Sequence, residues 1–326
     1  MIHPVIRATF RSRPVSSQIH ALAHFNSRRA LSSTRWLRRD DPRLQDFGRI
    51  IEDEYATIRD HYETPKHTII LAHGLLGFDE LRLGGPLLPG IQYWRGITDA
   101  LSEKGIEVIV AAVPPSGSIQ ARAQKLADSI AEKAQGKDVN IIAGLDARYM
   151  LSRLQPNNVK VLSLTTIATP HRGSAFADYM FNSIGAERQV RRIYNVMEYF
   201  GLGTGAFSQL TRAYMNTEFN AKTPDADGTK YYSYGASLEP SSFSVFSMSH
   251  AVIKEMEGGS NDGLVSVESS RWGQYKGTLV GVSHLDLINW TNRIKWFFWE
   301  LTGSKRKFNA IAFYLDIADM LAKEGL

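Results

Sequence analysis

Val139-Asn140-Ile141-Ile142-Ala143-Gly144-Leu145-Asp146-Ala147-Arg148-Tyr149 joins a strand-forming run to a helix-forming run with almost nothing between them. Residues 139–143 are short, apolar and bounded by polar positions, as expected of a strand buried on both faces. Residues 145–154 follow as a helix. Working outward, the same alternation recurs. Residues 67–72 read as a strand, 94–104 as a helix, 107–112 as a strand, 121–135 as a helix and 159–166 as a strand. Strand and helix in turn predict an α/β fold, with a mostly parallel central sheet and helices on both faces.

Upstream, residues 44–62 place Phe47, Ile50, Ile51, Tyr55 and Ile58 at three- and four-residue spacings, which predicts an amphipathic helix packed on the domain. Downstream, residues 174–219 break the rhythm with a long, mostly helical insertion that includes Gly201-Leu202-Gly203-Thr204-Gly205. An insertion between late strands is a place for a helical cap or lid. The sheet resumes at Lys230-Tyr231-Tyr232-Ser233-Tyr234, and amphipathic helices over 286–301 and 308–322 close the chain.

Composition narrows the function classes. The chain has 326 residues, 43% of them hydrophobic and 22% charged, enough for one large domain with a substantial core. No apolar run approaches the roughly 18 residues of a spanning helix, which predicts a soluble or peripheral protein. Cysteine is absent, which excludes disulfides, thiolate metal sites and a cysteine nucleophile. The net charge of +5 is concentrated at one end: residues 1–39 hold eight arginines and no Asp, Glu or Lys. The remainder carries 30 basic against 33 acidic residues, a net of about −3. That asymmetry argues against nucleic acid as a partner. An Arg-rich, Ser-containing, acid-free segment predicts a mitochondrial transit peptide over residues 1–40, ahead of one α/β domain over 41–326.

Chemistry begins at His73-Gly74-Leu75-Leu76-Gly77, directly after the first long strand. A His-Gly turn there lets backbone N–H groups point to the carboxyl edge of the sheet, and such a turn can donate one half of an oxyanion hole, though a strand followed by Gly is more often only a tight turn. Gly258-Gly259-Ser260-Asn261-Asp262-Gly263 presents an acid, read as following a late strand. Gly281-Val282-Ser283-His284 presents a histidine after a strand over 278–282. An acid and then a histidine in the last third repeat the Ser…Asp…His order of α/β-hydrolases.

These stretches, together with Leu164-Thr165-Thr166-Ile167-Ala168-Thr169-Pro170-His171-Arg172-Gly173-Ser174 and Ser269-Ser270-Arg271-Trp272-Gly273, make the chain resemble the fungal mitochondrial triacylglycerol lipases of the yeast type, relatives of bacterial true lipases. The resemblance implies the α/β-hydrolase fold, a lipid ester as substrate, Asp262 as triad acid, His284 as general base and the Leu75 N–H as an oxyanion donor. It also implies a mitochondrial location, and peripheral contact with a membrane or lipid-droplet surface is compatible with it. His171 is read as structural. Some bacterial relatives bind calcium near the histidine, and Asp286 matches one ligand position. Trp290 stands where an amide ligand is expected, so no metal is predicted, and no other cofactor.

The chain departs from the resemblance at the opening stretch. The family reads an Ala/Gly-His-Ser-Met-Gly-Gly type of turn where this sequence has Ala143-Gly144 alone, so four residues of the His-Ser-Met-Gly kind, the nucleophile among them, are expected and not found. No Gly-x-Ser-x-Gly occurs elsewhere, and Ser129 and Ser152 fall on helices. Four residues shorten a helix by about 6 Å or a strand by about 13 Å, so the junction is expected to draw in one element, with Gly144 at positive φ. Two readings follow. Either the natural product is an active lipase from which a misplaced splice boundary removes this segment, or the chain is a non-catalytic pseudo-lipase that binds lipid or a partner. A phospholipase or acyltransferase of the same fold is the enzymatic alternative.

Overall fold

The computed structural model describes residues 43–75, 80–81, 91–156, 158–182, 207–240, 244–289 and 308–326. The chain divides into Met1–Pro42 and Arg43–Leu326, and all described residues lie in the second unit. The predicted segment over 1–40, most of the predicted cap including Gly201 to Gly205, and most of the helix predicted over 286–301 fall outside the described residues.

In chain order the elements are α1 (Arg43–Phe47), β1 (Ile50–Ile51), β2 (Thr68–Leu71), β3 (Glu80–Leu81), β4 (Ile91–Gln92), α2 (Ile97–Glu103), β5 (Val108–Val110), α3 (Ile119–Lys133) and β6 (Asp138–Ile142). Then come α4 (Leu145–Tyr149), which runs on into a π-helical turn at Met150–Leu154, β7 (Lys160–Ile167), α5 (Ala175–Asn182), and α6 (Arg212–Tyr214) with its own π-helical continuation at Met215–Phe219. The chain ends with β8 (Lys230–Ser237), α7 (Ser247–Glu257), α8 (Val267–Ser270), β9 (Gln274–Val280) and α9 (Ala310–Lys323). Seven strands form one sheet in the order β1-β9-β8-β7-β6-β2-β5, every pairing parallel. β3 and β4 form a separate antiparallel pair.

Successive strand residues point to opposite faces, and each face finds its own helices. Ile69, Leu71, Ile142, Tyr232 and Tyr234 pack with Ile97 and Leu101 of α2 and with Phe313, Leu315 and Ile317 of α9. Ile70, Val139, Ile141 and Leu164 pack on the other side with Leu126 and Ile130 of α3 and Ala147 and Met150 beside the junction. Burial on both faces is why these strands read as unbroken apolar runs.

The strand order reverses beside β2, which has β5 on one side and β6 on the other. Ligands of open α/β sheets bind at such a switch point, outside the carboxyl ends of the strands. There the turn after β2 and the junction after β6 lie on neighbouring strands.

Two sequence expectations need correction here. The helix expected over 44–62 ends at Phe47, because Gly48 takes φ +63 and turns the chain into β1. Ile50 and Ile51 then pair with Thr278 and Leu279 at the sheet edge. Phe47, Ile51 and Tyr55 are buried as expected, whereas Ile58 is exposed, so their helical spacing was fortuitous. The helix expected from Asp286 begins as a single 3₁₀ turn, Asp286–Ile288, closed by Asn289 at φ 61.

Candidate active site

Three loops converge on the carboxyl edge of the sheet. Leu75 lies in the turn just beyond β2, two residues after the buried His73. His284 lies four residues beyond β9. Asp262 follows α7, not a strand as expected, yet the Leu238 N–H donates to the Asn261 carbonyl at 2.9 Å and draws the loop back to the end of β8. The same strand end receives the histidine loop, since the Ser237 carbonyl accepts from Gly281 N at 2.8 Å and Val282 N at 3.1 Å. One strand end therefore anchors both loops.

Between the loops, the His284 ring and the Asp262 carboxylate meet at 2.7 Å, Nδ1 to Oδ2. The two loops are stitched once more by the His284 N–H donating to the Asp262 carbonyl at 3.1 Å. Asp262 is fully buried, and its Oδ1 accepts from the N–H groups of Leu264 at 2.9 Å and Val265 at 2.8 Å. Backbone donors thus hold one carboxylate oxygen while the other faces the imidazole. The loop tolerates no side chain at Gly263, whose φ is +101 and whose Cβ would lie 2.5 Å from Phe246.

A carboxylate that only accepts fixes the tautomer of its partner: the proton sits on Nδ1, leaving Nε2 as the nitrogen that can take another. Burial pulls the His284 ring down, but the charge of Asp262 and its hydrogen bond outweigh it, so the imidazole pKa is raised above its ordinary value. About a third of the His284 side chain remains exposed. Asp286 fixes the approach to this ring. Its Oδ2 accepts from the Ser283 N–H at 3.0 Å and hydroxyl at 2.7 Å, capping the turn that carries the ring.

At the junction, β6 keeps its full pairing to β2, and the Ala143 N–H still reaches Thr165 O at 3.1 Å. The register to β7 slips between Val139 and Asn140. Gly144 adopts φ −116 and ψ −138, not the positive φ expected, and α4 starts on the next residue. Ser129 is engaged elsewhere, its Oγ accepting from Ala112 N at 3.1 Å, and Ser152 lies in the π-helical turn.

Behind the junction lies a buried polar layer that the sequence reading missed. Arg148, 1% exposed, donates to Asn220 Oδ1 at 3.0 Å and stacks 3.5 Å above the Trp272 ring. It also lies 3.2 Å from His171 Nδ1. A guanidinium cannot accept, so Nδ1 is the acceptor and Nε2–H donates to Thr166 Oγ1 at 2.9 Å. Burial first, then the charges of Arg148 and Arg172, hold His171 well below its ordinary pKa. It is a neutral packing residue, in line with its structural reading. Arg122 was missed as well; an arginine on the face shared by Ala123, Leu126 and Ala127 was the available signal.

No family model matches the chain. Triacylglycerol lipase 2 of Saccharomyces cerevisiae is 36% identical over 319 positions, covering 82% of this chain and 95% of that protein. A triacylglycerol lipase of Vibrio cholerae is 27% identical over 270 positions, 72% of this chain and 83% of the relative. Among solved structures, Staphylococcus hyicus lipase superposes with a TM-score of 0.57 at 18% identity, over 82% of this chain and 98% of that one. Bacillus licheniformis lipase BlEst2 gives 0.55 at 19%, over 76% and 96%. The structural likeness carries the α/β-hydrolase fold. Near-full coverage of the yeast relative carries the rest: this chain belongs to the triacylglycerol lipase family.

Proposed function

We propose that the gene encodes a triacylglycerol ester hydrolase working through a serine nucleophile, with Asp262 as the triad acid, His284 as the general base and the Leu75 N–H as one oxyanion donor. The observation that carries this reading is the 2.7 Å contact between His284 and a buried, doubly N–H-bonded Asp262 at the carboxyl edge of a parallel sheet. In this mechanism His284 Nε2 takes the hydroxyl proton as the serine attacks the ester carbonyl. Asp262 stabilises the imidazolium, and the proton then passes to the leaving alcohol. Water repeats the sequence on the acyl-enzyme.

The nucleophile belongs to a His-Ser-Met-Gly type of segment between Ala143 and Gly144, and the 326-residue form is its elbow-less counterpart. Loss of a triad nucleophile lowers turnover on the order of a million-fold, so this form hydrolyses no ester at a useful rate. Delivery to mitochondria through residues 1–40, and peripheral contact with a lipid surface near the exposed Phe181, Val245 and Met248, complete the reading.

Two forms are compared with a fluorophosphonate probe and a triacylglycerol emulsion: the 326-residue chain and the same chain with His-Ser-Met-Gly inserted after Ala143. Labelling and hydrolysis by the inserted form alone are expected. Serine labelling of the 326-residue chain sinks the assignment of the nucleophile, and an inert inserted form sinks the hydrolase reading. Mass spectrometry of native peptides across residues 139–148 tests which form the cell makes.

A further inference from the structure

Beneath the turn that follows β2, one buried arginine gathers three separate segments. Arg122 on α3 is 1% exposed. Its Nε and Nη2 donate to Asp146 Oδ2 at 3.0 and 2.7 Å, on the first turn of α4. Nη2 also donates to the His73 carbonyl at 3.1 Å, and Nη1 to the Pro114 carbonyl. The guanidinium thus links the post-junction helix, the loop after β5 and the turn carrying Leu75.

Trans peptide geometry converts these bonds into an orientation. In each peptide plane the C=O and the N–H point in opposite directions. With the His73 carbonyl held by Arg122, the Gly74 N–H faces the other way, where Tyr93 lies. Burial pushes the Tyr93 phenol up to about 12, opposed by a Gly74 backbone hydrogen bond that lowers it, which only an N–H donor does. In the next plane the Gly74 carbonyl lies 3.0 Å from His73 Nδ1. A carbonyl only accepts, so Nδ1 carries the proton, and the Leu75 N–H is turned to the opposite side. The His73 ring is itself packed 5.5 Å from the Tyr93 ring.

We infer that Arg122 and the His73 side chain are positioning residues that preset the oxyanion turn, fixing both peptide planes of His73-Gly74-Leu75 so that the Leu75 N–H is aimed before substrate arrives. The role of Leu75 rests on the function proposed above. Catalytic value follows from preorganisation: a donor already aimed needs no reorganisation as charge develops on the ester oxygen.

Two readouts separate this inference from that function. In the form with the inserted elbow, kcat and KM are measured for Arg122→Met/Asp146→Leu, His73→Leu and His73→Asn. The double variant removes the buried pair together, so no uncompensated charge is left to unfold the chain. Because one oxyanion donor is worth roughly 10²–10³ in kcat, the double variant and His73→Leu should each lose about 100-fold in kcat with KM little changed. His73→Asn keeps a donor near Nδ1 and should recover most of the rate. In the 326-residue chain, backbone ¹⁵N relaxation at Gly74 and Leu75 should fall from the rigid range, S² about 0.85, to below about 0.6 in the same double variant. A stably folded double variant with undiminished kcat overturns the inference. If the inserted form is inert the hydrolase reading fails instead, and the relaxation result still decides: Leu75 staying rigid in the double variant and in His73→Leu overturns it.

Discussion

Acid should destabilise this protein through His171 in a way that its carboxylates do not explain. The ring is fully buried, accepts from Arg148 at Nδ1 over 3.2 Å and donates to Thr166 at Nε2 over 2.9 Å. A second proton would have to enter at Nδ1, against a guanidinium that only donates. The folded pKa is accordingly held well below 6.5, by burial first and the charges of Arg148 and Arg172 next. The unfolded ring titrates near 6.5 and takes up a proton that the folded ring refuses. Stability from this residue is therefore complete above pH 6.5 and declines as pH falls, until the folded ring itself titrates. The slope approaches about 1.4 kcal/mol per pH unit, and the loss at pH 5.5 amounts to about 1.4 kcal/mol.

The measurement is a difference. Urea unfolding of the parent and of His171→Gln at pH 8.0, 6.5 and 5.5 gives two stability curves. Carboxylate effects are common to both and cancel. The glutamine does not titrate, so whatever its constant cost, the parent's advantage should shrink by about 1.4 kcal/mol between pH 8.0 and 5.5. NMR of the ring should show His171 neutral at pH 5.5. A pH-independent difference, or one that widens in acid, would refute the neutral, Arg148-capped assignment.

Three further outcomes follow from named contacts. Asp262→Asn should lower the titration midpoint of the His284 ring, because the charge and hydrogen bond of Asp262 are what raise it against burial; an unchanged NMR midpoint contradicts the 2.7 Å pairing. Since a raised histidine stabilises the fold below its unfolded pKa and loses that contribution as pH rises through the folded one, the same variant should also flatten the fall in stability on the alkaline side. Gly263→Ala combines φ +101 with a Cβ 2.5 Å from Phe246, and should lose about 2–5 kcal/mol in urea unfolding; a loss below about 1 kcal/mol means the loop adapts freely. Phe313→Ala empties a fully buried site between Tyr55 and Tyr234, whose rings lie 5.3 and 5.1 Å away, and should cost about 3–5 kcal/mol by the same assay, with a near-neutral result placing the core elsewhere.

What the sequence made legible was what local chemistry decides. Strands buried on both faces announce themselves as apolar runs, so β2, β5, β6 and β7 fall within a residue or two of their expected places. Segments whose fate depends on a distant partner were not legible. The three- and four-residue spacing of Phe47, Ile51 and Tyr55 suits a helix equally well, and only the free edge of β9, more than 200 residues away, draws Ile50 and Ile51 into the sheet. Asp262 and His284 were read together from their order in the last third of the chain, and they do meet at 2.7 Å, although Asp262 follows a helix and not the strand expected. The intervening α7, and the Leu238 contact that returns Asp262 to the sheet edge, depend on tertiary packing. Arg122, Asp146 and Arg148 are charged residues in apolar surroundings, and their partners lie on other elements.

The same separation sets the Asp262–His284 pair apart from the Ala143-Gly144 junction. Asp262 and His284 hang from the end of β8, through Leu238 and Ser237, and no bond described in those two loops reaches Ala143 or Gly144. The junction sits two strands away, at the end of β6, against β2 and β7. Helix phase ties the junction to both buried charges. At about 100° per residue, Asp146 and Arg148 lie about 200° apart around the axis of α4, and each meets a different partner, Arg122 on α3 and His171 after β7. Changing the junction by two residues would rotate the helix by about 200° and carry both charges away from their partners.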